Sequence, residues 1–278
     1  MHSISSLLRL RAVVVASALL LGCSSPNQPT EKQAPPTASG TNPAAEGFDQ
    51  TGSDPKAIAI ADRVMREMGG YDAWRDTRYL AWGFFGGQYQ IWDKQTGDFH
   101  WEKDTLVANY NLRTQTGQVY SRGQDISATP AGQKLVGRLP AIWNNNSWWL
   151  LMPFKLKDSG VTLKYQGPTK TMAGQPAEAL RLTFKNVGTT PENRYEVLVS
   201  PTTGLVEEWA FFPKAADAQP AFRRTWSNYT RQGQLLLAAN RDEATKPTHL
   251  DDIATAQTLP AGVMTSAVPV AKLGAPLK

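Results

Sequence analysis

The sequence predicts an α+β, mainly β fold: a large antiparallel sheet of about eleven strands that has to curl or close. Three observations predict it. From about residue 77 to residue 240 apolar residues recur with a period of two, in short runs joined by turn residues. Only two segments carry a helical period, each opened by a cap residue followed by proline. No internal repeat is present, which argues against a solenoid or propeller.

The first helix opens at Ser53-Asp54-Pro55. Ile58, Ala61, Val64, Met65 and Met68 then form one apolar face, and Gly69-Gly70 stops it. Residues 71–74 add a further turn. Strands follow over residues 77–84, 88–93, 98–104, 106–112 and 119–120, with turns at Gly86-Gly87 and at residues 94–97 and 113–117. Thr129-Pro130 opens the second helix, predicted over residues 130–142 and ended by Asn144-Asn145-Asn146. The run Trp148-Trp149-Leu150-Leu151-Met152-Pro153-Phe154 has no clear period, and its proline argues against a central strand. Two readings fit it: a plug in the open end of the sheet, or a functional element, either a movable lid or an apolar segment exposed to membrane or ligand. Strands resume over residues 161–166, 169–172, 177–185, 194–200, 205–212, 222–229 and 235–239. Residues 253–259 read as an edge strand, and the small residues and prolines after them as a poorly ordered tail.

Domain organisation follows from composition. Arg9 and Arg11 precede an uncharged, mostly apolar run over residues 12–21. Ten helical residues rise about 15 Å, half a hydrocarbon core, so the run reads as an export signal. Leu20-Leu21-Gly22-Cys23 resembles the lipobox of bacterial lipoproteins. That resemblance implies cleavage before Cys23 and acylation there, a membrane anchor, and, with Ser24 following, an outer-membrane destination. The expected units are a signal over residues 1–22, a tether over 23–52, a body over 53–245, and an edge strand with a loose tail over 246–278.

Several functions are excluded by what the chain lacks. It has one cysteine and three histidines, too few for the usual zinc sites. Its net charge of +5 includes the two signal arginines, and no run of like charges marks a nucleic-acid partner. No nucleophile elbow, phosphate loop or zinc-protease motif is present, so no enzyme activity and no cofactor are expected. By alternation, His100 points away from Phe99 and Trp101 and reads as a solvent-facing strand residue. The group Asp93, Asp98, Glu102 and Asp104 reads as a solvated face. Arg224 alternates with Phe222 and Trp226, so it is either a surface charge or an inward anchor for an anionic headgroup.

The aromatic residues carry what remains. On their strands Trp82 shares a face with Phe84, Trp101 with Phe99, and Trp209 with Leu205 and Phe211. Such a face is either a filled core or the lining of an apolar cavity. For the second case the expected lining is Trp82, Phe84, Trp101, Tyr110, Leu182, Phe184 and Trp209. Trp148, Trp149, Met152 and Phe154 would then stand at its mouth.

Several local patterns resemble a known family. A helix ending Met68-Gly69-Gly70-Tyr71-Asp72-Ala73-Trp74 leads into an aromatic strand. Trp148-Trp149-Leu150-Leu151-Met152-Pro153-Phe154-Lys155-Leu156 precedes Asp158-Ser159-Gly160-Val161. Gly174-Gln175 comes before Leu180-Arg181-Leu182-Thr183-Phe184, and Pro201-Thr202-Thr203-Gly204-Leu205-Val206 follows. Over about residues 55–240 this is similar to a family of bacterial lipoproteins of unassigned function. That family in turn resembles the lipoprotein carriers and acceptors LolA and LolB. The resemblance implies a single curved antiparallel sheet, an unclosed barrel, with the helix and the helical insertion covering its concave face. It implies acyl chains, or another apolar ligand, as the occupant of that face. A cell-envelope scaffold with a filled core and an unidentified protein partner is the competing expectation.

Overall fold

Proline in the first turn starts the first helix, α1 (Pro55–Glu67), and two glycines end it. Gly69 and Gly70 have φ of 119° and 88°, and at Gly69 a Cβ would run into the Gln234 carbonyl. That close approach lets Met68 O accept a 3.0 Å hydrogen bond from Leu236 N, which fixes the helix end to the sheet. A short helix, α2 (Tyr71–Asp76), follows. The structure, a computed structural model, describes residues 42–185, 187–188 and 190–274, which lie in one unit spanning Ala38–Lys278. The predicted signal, Cys23 and most of the predicted tether lie outside the described residues.

Six strands come next: β1 (Tyr79–Phe84), β2 (Gln88–Asp93), β3 (Asp98–Lys103), β4 (Leu106–Asn111), β5 (Thr116–Ser121) and β6 (Gln124–Asp125). A long helix, α3 (Pro130–Leu151), follows, ending in a 3-10 turn (Met152–Lys155). Then come β7 (Val161–Lys170), β8 (Pro176–Phe184), β9 (Arg194–Val199), β10 (Val206–Phe212), β11 (Phe222–Thr225), β12 (Ser227–Gln232), β13 (Leu235–Asn240) and β14 (Asp251–Ala256).

All pairings are antiparallel. They form ladders of seven (β14-β1-β2-β3-β4-β5-β6), five (β11-β10-β9-β8-β7) and two (β12-β13) strands. A few hydrogen bonds join the ladders to one another. Trp226 N donates to Glu207 O at 2.7 Å, and Leu250 N to Ala239 O at 2.9 Å. The result is one large curved sheet with β6 and β7 at its unpaired ends, not closed, and α3 packed across it. Its concave side, α1 and the end of α3 enclose the main core, centred on Trp82, Leu182 and Trp209. A second cluster, with Phe99, Trp101, Tyr110 and Leu139, lies under the first half of α3.

Four expectations need correction. The second helix does not stop at the asparagines. Asn146 Nδ2 donates to Gln88 Oε1 at 3.1 Å and to Gln90 Oε1 at 3.0 Å, so these tertiary bonds offset a weak helix propensity. Trp148 and Trp149 are therefore helical. Residues 42–52, assigned to the tether, are packed. Phe48 is in the core, and Asp49 N and Asp54 N donate to Val161 O and Leu163 O, covering the edge of β7. The tail is ordered through residue 274: Leu259, Val263, Met264, Val270 and Leu273 pack on the convex face. Under that tail, His100 and Glu102 are 0% and 4% exposed, so neither lies on a solvated face. Asp93 is likewise buried, paired with Arg78 at 2.9 Å.

Candidate functional site

A cavity of about 520 Å³, open on one side, lies between the C-terminal half of α3 and the concave face of β8–β11. The period of two in the strands builds its wall. Register sets Phe211 opposite both Tyr195 on β9 and Phe222 on β11, and Trp209 lies two residues before Phe211 on β10. Two residues along a strand return to the same face, so these four rings form one continuous surface. Tyr195 stacks on Trp209 with centroids 5.3 Å apart at 15°. From the opposite side α3 lowers Trp148 against Tyr195 at 5.0 Å and Trp149 against Trp209 at 5.0 Å. Phe184 on β8 meets Trp148 edge-on at 5.7 Å. Such tilted and stacked rings gain somewhat beyond their buried area.

The rim is polar. Asn144, Asn145, Ser159, Thr190 and Asn193 line it, with the ion pair of Lys155 and Asp158. Asn193 Nδ2 donates to Thr190 Oγ1 at 2.7 Å. Burial pushes the Tyr195 phenol up to about 12, so it is neutral at physiological pH. The site therefore presents an uncharged aromatic interior and a neutral ion pair at its mouth. That chemistry suits an apolar body with a small polar end.

The predicted lining residues separate into four places. Phe184, Trp209, Trp148 and Trp149 meet at this cavity. Trp82 and Leu182 are fully buried in the main core, as is Met152. Phe154 is also in that core, stacked on Trp74 at 4.6 Å. Trp101 and Tyr110 lie in the separate cluster under the first half of α3. Phe84 faces a second cleft of about 700 Å³, on the other side of Trp149. Arg224 lines that cleft, not the aromatic cavity, and is paired with Glu243. Tyr195, Phe211 and Phe222, which are not among the expected lining residues, complete the wall. Phe211 was on the right face by alternation, whereas Tyr195 and Phe222 join it only through cross-strand register.

Arg241 holds the helix end that forms one wall. It is fully buried and lies 3.4 Å from the Trp226 ring centroid. Its Nε donates to Trp149 O at 2.8 Å, and its other nitrogens to Asn240 O at 2.6 Å and Ala238 O at 3.2 Å. Burial pushes its pKa down to about 9, still well above neutral. A guanidinium at a helix C-terminus also meets the negative end of the helix dipole.

Among the described residues no group of three or more His, Cys, Asp or Glu side chains could hold a metal ion. Among them, too, no helix is long and apolar enough to cross a membrane.

No protein-family model and no curated protein matches the chain. Among solved structures, it is similar to a DUF1329 family protein from Desulfovibrio piger. That match has 12% identity over 76% of this chain and 98% of the other, with a TM-score of 0.40. An uncharacterised conserved protein from Thermus thermophilus matches at 12% identity, over 63% and 90%, with a TM-score of 0.22. The protein MucB matches at 15% identity, over 68% of each chain, with a TM-score of 0.24. Similarity at this level does not carry function, so the functional reading rests on the site.

Proposed function

We propose that the protein is an exported lipoprotein, acylated at Cys23 and held in the outer membrane facing the periplasm. It shelters an acyl chain or a similar apolar ligand in the aromatic cavity and carries out no catalysis. The single observation that supports this best is the cavity itself. Its volume of about 520 Å³ falls inside the range of roughly 300–1,000 Å³ typical of small-molecule sites. Burial of apolar surface at about 25 cal/mol per Å² drives binding and favours chain length over headgroup identity. Trp148, Trp149, Phe184 and Trp209 contact the ligand directly. Trp82, Leu182, Met152 and Phe154 support them from the core beneath.

Native mass spectrometry of the gently extracted protein tests the reading, with uptake of a fluorescent fatty acid as a second measure. The expected result is a co-purifying lipid. Trp148→Ala weakens fatty-acid uptake by on the order of ten-fold, the effect of losing one large aromatic contact. A protein that carries no lipid and takes up no probe overturns it. One observation favours a scaffold instead: much of the concave side is solidly filled, with Trp82 and Leu182 fully buried. In that case Trp148→Ala changes the capture of a protein partner and leaves lipid content unchanged.

A further inference from the structure

The convex side of β1, β2 and β3 is a built surface. Tyr79, Ala81, Tyr89 and Ile91 make an apolar floor. Beside it, His100 lies between two side chains, with Nδ1 2.6 Å from Asn109 Oδ1 and Nε2 2.9 Å from Glu102 Oε1. Residues 257–274 cross this surface as a strap. They form no strand pairing with it, since β1, β2 and β3 each have strand partners on both sides.

The contacts resemble those of a receptor with a peptide. Side chains of the sheet read the main chain of the strap. Asn109 Nδ2 donates to Ser266 O at 2.9 Å. Val270 N donates to Glu102 Oε1 at 2.6 Å, and Leu273 N to the Tyr89 hydroxyl at 2.8 Å. Lys272 Nζ lies 3.4 Å from Glu102 Oε2. Because His100 holds both Asn109 and Glu102, the gripping groups are oriented by the sheet and not by the strap. Such preorganisation is what lowers the cost of binding.

Burial is one-sided. The floor residues are at most 8% exposed, and His100 is fully buried. None of residues 257–274 is buried, and Val268 is 52% exposed. A layer attached by a few side-chain-to-backbone bonds and half-buried apolar residues opens at low free energy. The strap has one lysine, Lys272, and no acidic residue, matching the carboxylate of Glu102.

We propose that this face is a docking groove for an extended segment of a partner protein, apolar, without acidic residues and with a lysine set to meet Glu102. Residues 257–274 fill the groove in cis until the partner displaces them. This is independent of the concave cavity and its ligand.

The test uses the full chain and, as probe, a fluorescently labelled peptide with the sequence of residues 257–274. In the double variant Val270→Asp/Leu273→Asp the strap carries two acids near Glu102 and loses both apolar contacts with the floor, so it leaves the groove. Fluorescence anisotropy is expected to show this variant binding the peptide at least about ten-fold more tightly than the unaltered chain does. Adding Glu102→Gln weakens that binding by about ten-fold. In the unaltered chain, hydrogen exchange at the Val270 and Leu273 amides is expected to be much faster than at the paired amides of β2 and β3. A double variant that stays folded by circular dichroism yet ignores the peptide overturns the proposal. So does one that fails to fold, which makes the strap part of the body, or one that dimerises by exchanging straps. Exchange at Val270 and Leu273 as slow as in the strands overturns it as well.

Discussion

Arg241 concentrates more structural consequence than any other single side chain near the cavity. It is a buried cation whose hydrogen bonds all go to main-chain carbonyls, of Trp149, Asn240 and Ala238. Replacing it with methionine keeps most of the volume and leaves those carbonyls dry. Each unsatisfied buried polar group costs about 1–3 kcal/mol. Arg241→Met is therefore expected to lower the stability by at least about 3 kcal/mol, read from the urea midpoint of tryptophan fluorescence. Glu102 gives a pH signature. Burial alone raises its pKa, but hydrogen bonds from His100 and Val270 and the charges of His100 and Lys272 outweigh it. Its carboxyl thus titrates below the ordinary 4.5. A depressed carboxyl contributes stability that is complete above its unfolded value and lost as the pH falls through its folded value. The protection factors of the amides in residues 266–273, which discount the intrinsic pH dependence of exchange, are expected to be constant above about pH 4.5 and to fall as the pH drops below it, and Glu102→Gln is expected to remove that step. None of this was legible from alternation, which placed His100 and Glu102 correctly on the face opposite Phe99. What covers that face comes from far along the chain.

At the scale of elements, α3 decides where the site lies. Local rules found its start at Thr129-Pro130, and Thr129 Oγ1 does accept from Gly132 N at 3.1 Å. Local rules also stopped it too early, because Asn144-Asn145-Asn146 reads as a terminator in isolation. The bonds from Asn146 to Gln88 and Gln90 carry the helix through, and these are tertiary. Asn146→Ala is expected to cost about 1–3 kcal/mol, since it leaves the two glutamine carbonyls without that donor. It is also expected to loosen the helix beyond it, seen as faster amide exchange over residues 147–151. Leu139, fully buried under the first half of α3, is a separate anchor, and Leu139→Ala is expected to cost about 2–5 kcal/mol in thermal or urea unfolding. Half of the candidate site was visible in sequence. Phe184, Trp209, Trp148 and Trp149 stood out as large aromatics on strands or in an unusual run. Tyr195 and Phe222 did not, since strand register is set by pairing and leaves no mark on a single strand.

For the molecule as a whole, periodicity was enough to predict a mainly β sheet with a helix at each of two places. It did not give the order of strands, which depends on who pairs with whom. The pairing of β1 with β14 joins the first strand of the body to the last, Tyr79 opposite Ala256. A body ended at residue 245 lacks that strand. It is expected to lose its single sharp thermal transition and to aggregate through the bare edge of β1, as measured by calorimetry and light scattering. The same pairing also imposes a schedule. On a growing chain β1 and β2 can form a hairpin early, yet the other edge of β1 waits while more than half of the protein is still being made. A contact between segments so far apart in sequence costs more loop-closure entropy than a hairpin does before it gains anything. Until that last strand arrives, the edge of β1 that meets β14 has no strand partner. That edge stays open to wrong strands until synthesis is nearly complete, so mispairing during assembly is a hazard this topology carries for most of the time the chain is being made.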